Sequence, residues 1–442
     1  MLRTEQGRLV FTMVVLLAIN TMNFFDRQIL PAVQEKIRED WGLSDSQLGW
    51  LGTAFILLYA VVGLPLGRWA DVGPRRWILA GGVGLWSLLT LCSGLAWNFW
   101  SLFLLRLGVG VGEASCAPVA SSLIGDLVSP GRRARAMGIF MLGLPVGLAL
   151  SYLVSSTIAQ HHSWQAAFFV AGGPGLLLAV AALFIADTRP QAPRQLGSMV
   201  TGGQRVRFWG AAGSILALPT MWWIIISGAL HNFNMYALGS FLASLLKRYH
   251  GVSIGTAGQL TALVYGFGAL GLFGAGWLGD YAFKRWNNGR LHVAWIGLTL
   301  SIPCLLLALA APPGDIWTCA AWLLPGCMLL YAYYGTIYAT IQDIIIPSLR
   351  GTAMALYFFA MYFLGAVLGP VGVGWLSDWG ARRAAQADGS EFASEWQRAT
   401  GLHDAMYIVP VLTGVLVLVL LAATRTFPAD YLRAQKRLAE GA

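Results

Sequence analysis

Apolar stretches of about 20 residues recur from one end of this chain to the other, each long enough to cross roughly 30 Å of hydrocarbon. Lipid offers no hydrogen-bond partners, so a stretch crossing it alone must pair its own amides, which makes it a helix. None shows the two-residue alternation of a β-barrel strand. Twelve windows can be drawn, the first at 9–31, the fourth at 99–125, the seventh at 218–246 and the last at 404–425. Only 11% of the 442 residues are charged, against about a quarter in ordinary soluble domains, so the chain is not built to face water on all sides. The first window follows Arg3 and Arg8. It runs too long for a signal peptide, lacks a small-residue cleavage site and is read as a permanent helix.

The formal charge of +9 suggests nucleic acid until its distribution is considered. Most of the 29 Lys and Arg residues fall in the termini and in alternate loops on one side of the membrane. The positive-inside rule places that side, with both termini, in the cytoplasm. The expected location is the inner, cytoplasmic membrane, with the bilayer as partner and no nucleic acid. The five cysteines (Cys92, Cys116, Cys304, Cys319, Cys327) have no C-x-x-C spacing, so neither a disulfide framework nor a metal site is expected. No G-x-x-x-x-G-K-[ST] loop occurs, which argues against ATP hydrolysis. No cofactor is expected.

The widest break between windows is the stretch 189–216. It carries Arg205-Val206-Arg207-Phe208-Trp209, a basic and aromatic run that suits either an amphipathic segment on an anionic leaflet or a solvated linker. It divides the chain into an amino-terminal six-helix bundle at 1–188 and a carboxy-terminal one at 217–442. Two internal matches show that the bundles are copies. Gly67-x-x-x-Asp71-x-x-x-Arg75-Arg76 follows the second window, and Gly276-x-x-x-Asp280-x-x-x-Lys284-Arg285 follows the eighth. Asp126-x-x-x-Pro130-x-x-Arg133-x-x-Ala136-Met137 follows the fourth, and Asp343-x-x-x-Pro347-x-x-Arg350-x-x-Ala353-Met354 follows the tenth. The expected fold is therefore an all-α membrane protein of twelve transmembrane helices in two parallel-repeated six-helix bundles. Transport sites in such repeats lie where the halves meet.

The segment from Gly67 to Arg76 resembles the signature loop of the major facilitator superfamily. It departs from that pattern at Val72, where a basic residue usually follows the Asp, and at Pro74, where glycine is usual. Arg106-x-x-x-Gly110-x-Gly112 resembles the superfamily's second motif. Asn20-Thr21-Met22-Asn23-Phe24-Phe25-Asp26-Arg27 and Gly110-Val111-Gly112-Glu113-Ala114 resemble the spinster family, whose eukaryotic members move lysophospholipids and sphingosine phosphate. The resemblance implies the major facilitator fold and an amphipathic lipid cargo with an anionic or zwitterionic head.

A charge inside a span costs roughly 2.5–3.5 kcal/mol on insertion scales, so such residues are functional by default. Asp26, Arg27, Arg106 and Glu113 all lie in the first bundle, while the counterpart of the first window carries His231, Asn232 and Asn234 instead. Glu113 and Asp26 are the expected proton-coupling groups, with protons as the coupling ion. Arg106, Arg27, His231, Asn232 and Asn234 are the expected substrate contacts. The competing readings are a permanent ionic network and a histidine satisfied at a helix contact. Depth arithmetic places Asp26 and Arg27 level with Arg106, and Glu113 one layer deeper. Asp71, Arg75, Arg76, Asp126, Arg133, Asp280 and Lys284, near span ends, are the expected gating groups. Glycines of the fifth and eleventh windows, Gly138, Gly143, Gly147, Gly365 and Gly369 among them, are expected to allow close helix approach.

These features point to a monomeric, proton-coupled secondary transporter rather than an enzyme. An exporter of drugs or small metabolites is the alternative. More remote are an intramembrane lipid-modifying enzyme and a non-transporting receptor.

Overall fold

The computed structural model describes residues 5–128, 132–185, 208–346 and 349–439. The basic run at 205–207 therefore lies outside the described residues. Described elements are helical, and their lengths follow from the apolar windows. The first half contains α1 (Glu5–Trp41), α2 (Asp45–Val72), α3 (Arg75–Ser93), α4 (Phe99–Glu113), α5 (Cys116–Leu127), α6 (Arg133–Met141), α7 (Gly143–His161) and α8 (Trp164–Ala182). The second half contains α9 (Phe208–Leu216), α10 (Pro219–His250), α11 (Ile254–Phe283), α12 (Gly289–Leu309), α13 (Ile316–Ile344) and α14 (Arg350–Ala360). A π-helical segment, Met361–Ala366, then leads into α15 (Leu368–Ala387), α16 (Glu395–Met406) and α17 (Ile408–Ala439).

Eleven helical stretches among the described residues are long and apolar enough to cross a membrane. The 32-residue α10 completes the expected twelve. Its mean hydropathy is lowered by the polar run from His231 to Asn234. Helix α1 overruns its expected window and reaches Trp41, where Gly42 turns the chain at φ 62°. Because that window ended at residue 31, the charges from Glu35 to Asp45 were expected in a loop; Glu35 and Arg38 instead sit on the helix.

Contacts divide the chain into two compact units, one of Met1–Val33 and Ala54–Arg207, the other of Gln34–Thr53 and Phe208–Ala442. The far end of α1 and the start of α2 therefore group with the second unit. In the first unit a core of Leu16, Leu79, Val83, Trp86, Val109, Leu123 and Phe140 fixes α3, α4 and α5 against α1.

The repeat extends to an uncommon detail. The helix is interrupted at Leu142, between α6 and α7, and the corresponding part of the second unit is the π-helical segment. At each interruption an asparagine side chain docks. Asn20 Nδ2 donates to the Phe140 carbonyl at 2.8 Å, and Asn232 Nδ2 donates to the Met361 carbonyl at 3.1 Å. Glycine makes both approaches feasible. A Cβ on Gly143 would lie 2.9 Å from Asn20 Cβ, and one on Gly365 would lie 2.8 Å from Asn232 Cβ. Gly138 faces open space instead, so it does not share that role.

Candidate functional site

The four charges inside the first unit come from two antiparallel helices, α1 and α4. Arg27 Nε meets Glu113 Oε2 at 2.9 Å, with side-chain exposures of 7% and 0%. The Arg27 guanidinium is lined by the rings of Phe24, Phe55 and Tyr59, at 5.0, 5.5 and 4.6 Å. Such faces attract a cation and exclude water from it. Arg106 Nη2 donates to the main-chain oxygen of Asp26 at 3.2 Å. The Asp26 carboxyl instead faces α3, where Thr90 Oγ1 donates to Oδ2 at 3.4 Å.

The group is only partly satisfied. Asp26 Oδ1, Glu113 Oε1, Arg106 Nε and Arg106 Nη1 are buried without hydrogen-bond partners among the described residues. Unmet donors and acceptors this deep are costly, and here they fall on ionisable groups of both signs, which makes the group a candidate for exchangeable partners. Both signs of charge are present: a carboxyl can take up or release a proton, and a guanidinium can receive an anionic head.

The expected layering needs correction. Glu113 is not one layer below Arg27 but bonded to it, and Arg106 reaches the Asp26 backbone rather than its carboxyl. Helical side chains lean toward the helix N-terminus. Helices α1 and α4 run in opposite directions, so the Arg27 and Glu113 side chains lean toward each other and close a gap that backbone rise alone leaves open.

In the second unit His231 is fully buried, stacked on Tyr333 at 4.1 Å and edge-on to Tyr334 at 4.7 Å. Neither of its ring nitrogens has a partner among the described residues. Asn232 accepts from Tyr334 Oη at 3.0 Å while it holds Met361. Asn234 donates to Thr413 Oγ1 at 3.0 Å and to the Val409 carbonyl at 3.2 Å. It ties α10 to α17, a different neighbour from the π-helical segment that Asn232 holds. The tyrosines around His231 had not been singled out, because aromatic residues are ordinary in apolar helices.

Near the side where α1 begins, Arg75 Nη1 pairs with Asp126 Oδ2 at 2.7 Å and donates to Ser122 Oγ at 2.9 Å. The second unit repeats this clasp with a residue the sequence reading missed. Arg290 pairs with Asp280 at 2.7 Å and with Asp343. Lys284 makes no ion pair among the described residues. Arg76 lies over the Trp77 ring at 5.8 Å. The side chains of Asp71 and Arg133 lie outside the described residues.

A second missed network holds the segment 34–53. Arg248 pairs with Glu35 at 2.6 Å and Asp45 at 2.8 Å. Asp45 accepts from Ser377 Oγ at 2.6 Å, and Arg38 pairs with Glu395 at 2.7 Å. Asp378 accepts from the backbone amides of Asp45 and Ser46, both at 2.9 Å. The Glu35-x-x-Arg38 spacing on one helix was the available signal.

The sequence profile described as Major Facilitator Superfamily matches residues 16–370. An MFS-type efflux pump of Mycolicibacterium smegmatis is 30% identical over 372 residues, 82% of this chain and 83% of that protein. Protein spinster homolog 1 of Mus musculus is 30% identical over 405 residues, 85% of this chain and 74% of the relative. A crystal structure of a bacterial homologue of the human lysosomal transporter spinster, inward-facing and unoccupied, is similar with a TM-score of 0.84. It is 27% identical and the match covers 95% of this chain and 98% of that one. With the twelve spans, the internal repeat and the charged pair of α1 and α4 already in place, these likenesses show that the chain belongs to the Major Facilitator Superfamily and is a transporter of the spinster type, not an enzyme.

Proposed function

We propose that the chain carries an amphipathic lipid with an anionic or zwitterionic head, such as a lysophospholipid, by proton-coupled alternating access. The observation that carries this reading is the under-satisfied group of Asp26, Arg27, Arg106 and Glu113. A carboxyl in a low-dielectric interior exchanges protons to shed an expensive charge. Protonation of Glu113 frees Arg27, and the partnerless nitrogens of Arg106 offer a fork to a phosphate. The protein acts as a monomer in the inner membrane, with its termini and the Arg75 and Arg290 clasps on the cytoplasmic side. The Arg248 network is then a far-side latch for the segment 34–53. The named relatives support the transport half of this reading, and the spinster likeness supports the lipid half.

The test is uptake into proteoliposomes under an imposed proton gradient. Glu113→Gln mimics the protonated acid and cannot release a proton. It should still bind cargo but fail to accumulate it, with Asp26→Asn as the parallel variant. Retention of full gradient-driven uptake by both variants would remove these carboxyls from coupling. Likeness to an efflux pump favours export of drugs or small metabolites as the second reading. A panel of lysophospholipids and cationic drugs in the same vesicles separates the two.

A further inference from the structure

Hydroxyl side chains within these helices mostly bond back to their own helix. Thr21, Ser93, Thr261 and Thr340 each donate to the carbonyl four residues earlier, at 2.8–2.9 Å. That is the usual outlet for such a residue in an apolar helix. Thr90 differs. It is fully buried, and its hydroxyl reaches across to the Asp26 carboxyl. One turn earlier on the same face of α3, the buried Trp86 indole N–H also addresses the Asp26 carboxyl, without completing a well-formed hydrogen bond.

We propose that Thr90 is a positioning residue that sets the proton affinity of Asp26, so that α3 governs the pH at which this carboxyl loads and unloads. The inference rests on the reading of Asp26 as a proton-carrying group. None of the ionisable groups around Asp26 bonds to its carboxyl among the described residues. Glu113 on α4 is bonded to Arg27, and Arg106 addresses the main-chain oxygen of Asp26. Cys116 on α5 and Tyr59 on α2 lie close to Arg27. These groups act on Asp26 through their field, whereas the side chains that address its carboxyl directly are neutral groups of α3, the Trp86 indole and the better-formed contact of the Thr90 hydroxyl. A threonine hydroxyl serves both protonation states, donating to the carboxylate and accepting from the acid. Removing it costs both forms a partner, but costs the carboxylate more, since a hydrogen bond to a charged group is the stronger one.

The experiment is an infrared pH titration of the reconstituted full-length protein, following the stretching band of a buried protonated carboxyl. Asp26→Asn identifies the Asp26 band by deleting it. Thr90→Val should shift that band and move its midpoint to higher pH by roughly one unit, the scale of one hydrogen bond to a charged group. Thr90→Ser should restore both. Thr90→Ala carries the same test should the valine variant not fold. An unchanged midpoint in Thr90→Val, or equal shifts in the valine and serine variants, overturns the role of the hydroxyl. If no titrating band is lost in Asp26→Asn, the proton-carrying reading of Asp26 fails first, and this inference falls with it.

Discussion

Replacing Arg248 with methionine keeps the length and apolar stem of the side chain and deletes its charge. The guanidinium is 4% exposed, and the carboxylates it serves, Glu35 and Asp45, are 3% and 5% exposed. Removing one partner from a buried ionic group typically costs about 3–5 kcal/mol, because the charges left behind are neither paired nor hydrated. Here the lower end applies. Glu35 keeps Arg38 at 3.4 Å, and Asp45 keeps the Ser377 hydroxyl. About 3 kcal/mol corresponds to a shift of roughly a hundredfold or more in a two-state equilibrium. If the network latches the segment 34–53, Arg248→Met should populate a released state. Spin labels at Asp40 and Glu391, both exposed, would report it as a longer distance component in double electron–electron resonance. Adding Glu35→Gln removes one stranded charge, so the double variant should be less disturbed than the sum of the single variants. Unchanged distances in Arg248→Met, or strict additivity in the double variant, would refute the latch.

Arg106→Lys should weaken lysophospholipid binding on the order of tenfold, since charge survives while the planar fork is lost, and Arg106→Ala should weaken it further. Equilibrium binding in detergent decides this, and parental affinity in both variants would place the head group elsewhere. Gly147→Ala should lower thermal stability, because its Cβ would lie 2.3 Å from the Thr21 carbonyl and overpacking typically costs about 1–3 kcal/mol. Gly138→Ala, which meets open space, should be neutral or gain up to about 1 kcal/mol from helix propensity; thermal melts in detergent compare the two. His231→Phe should leave the melting temperature unchanged or raised, since it removes an imidazole with no hydrogen-bond partner among the described residues. Uptake should nevertheless fall if that ring receives cargo, and parental uptake would remove His231 from the site.

The spans, the duplication and the residues of the charged group could all be read from the chain, because each depends on local composition or on spacing along one helix. Pairing could not. Arg27 and Glu113 are 86 residues apart, and their contact depends on how side chains lean on antiparallel helices. Arg290 escaped notice because it begins α12 instead of ending α11, so the aligned motif pointed to Lys284. The Arg248 network was hidden by a window drawn on hydropathy, which ends where polar residues begin even though the helix continues to Trp41. Asn234 looked equivalent to Asn232 in sequence, yet two residues on an α-helix turn about 200°, and it serves a different helix contact.

The asparagines docked onto spans five and eleven have a mechanical consequence. Each grips a helix where the regular ladder is already broken, and each does so with an uncharged amide on a main-chain oxygen. Ionic strength and proton concentration act weakly on such a bond, so the stiffness of these two joints should be nearly indifferent to pH. On the proposed reading, bending compliance and proton sensing thus reside on separate side chains. Such a joint occurs in each half, whereas Asp26, Arg27, Arg106 and Glu113 all belong to the first. A designer could therefore soften or stiffen either joint by exchanging one amide or one glycine, changing how fast the helices flex without changing the pH to which the molecule responds.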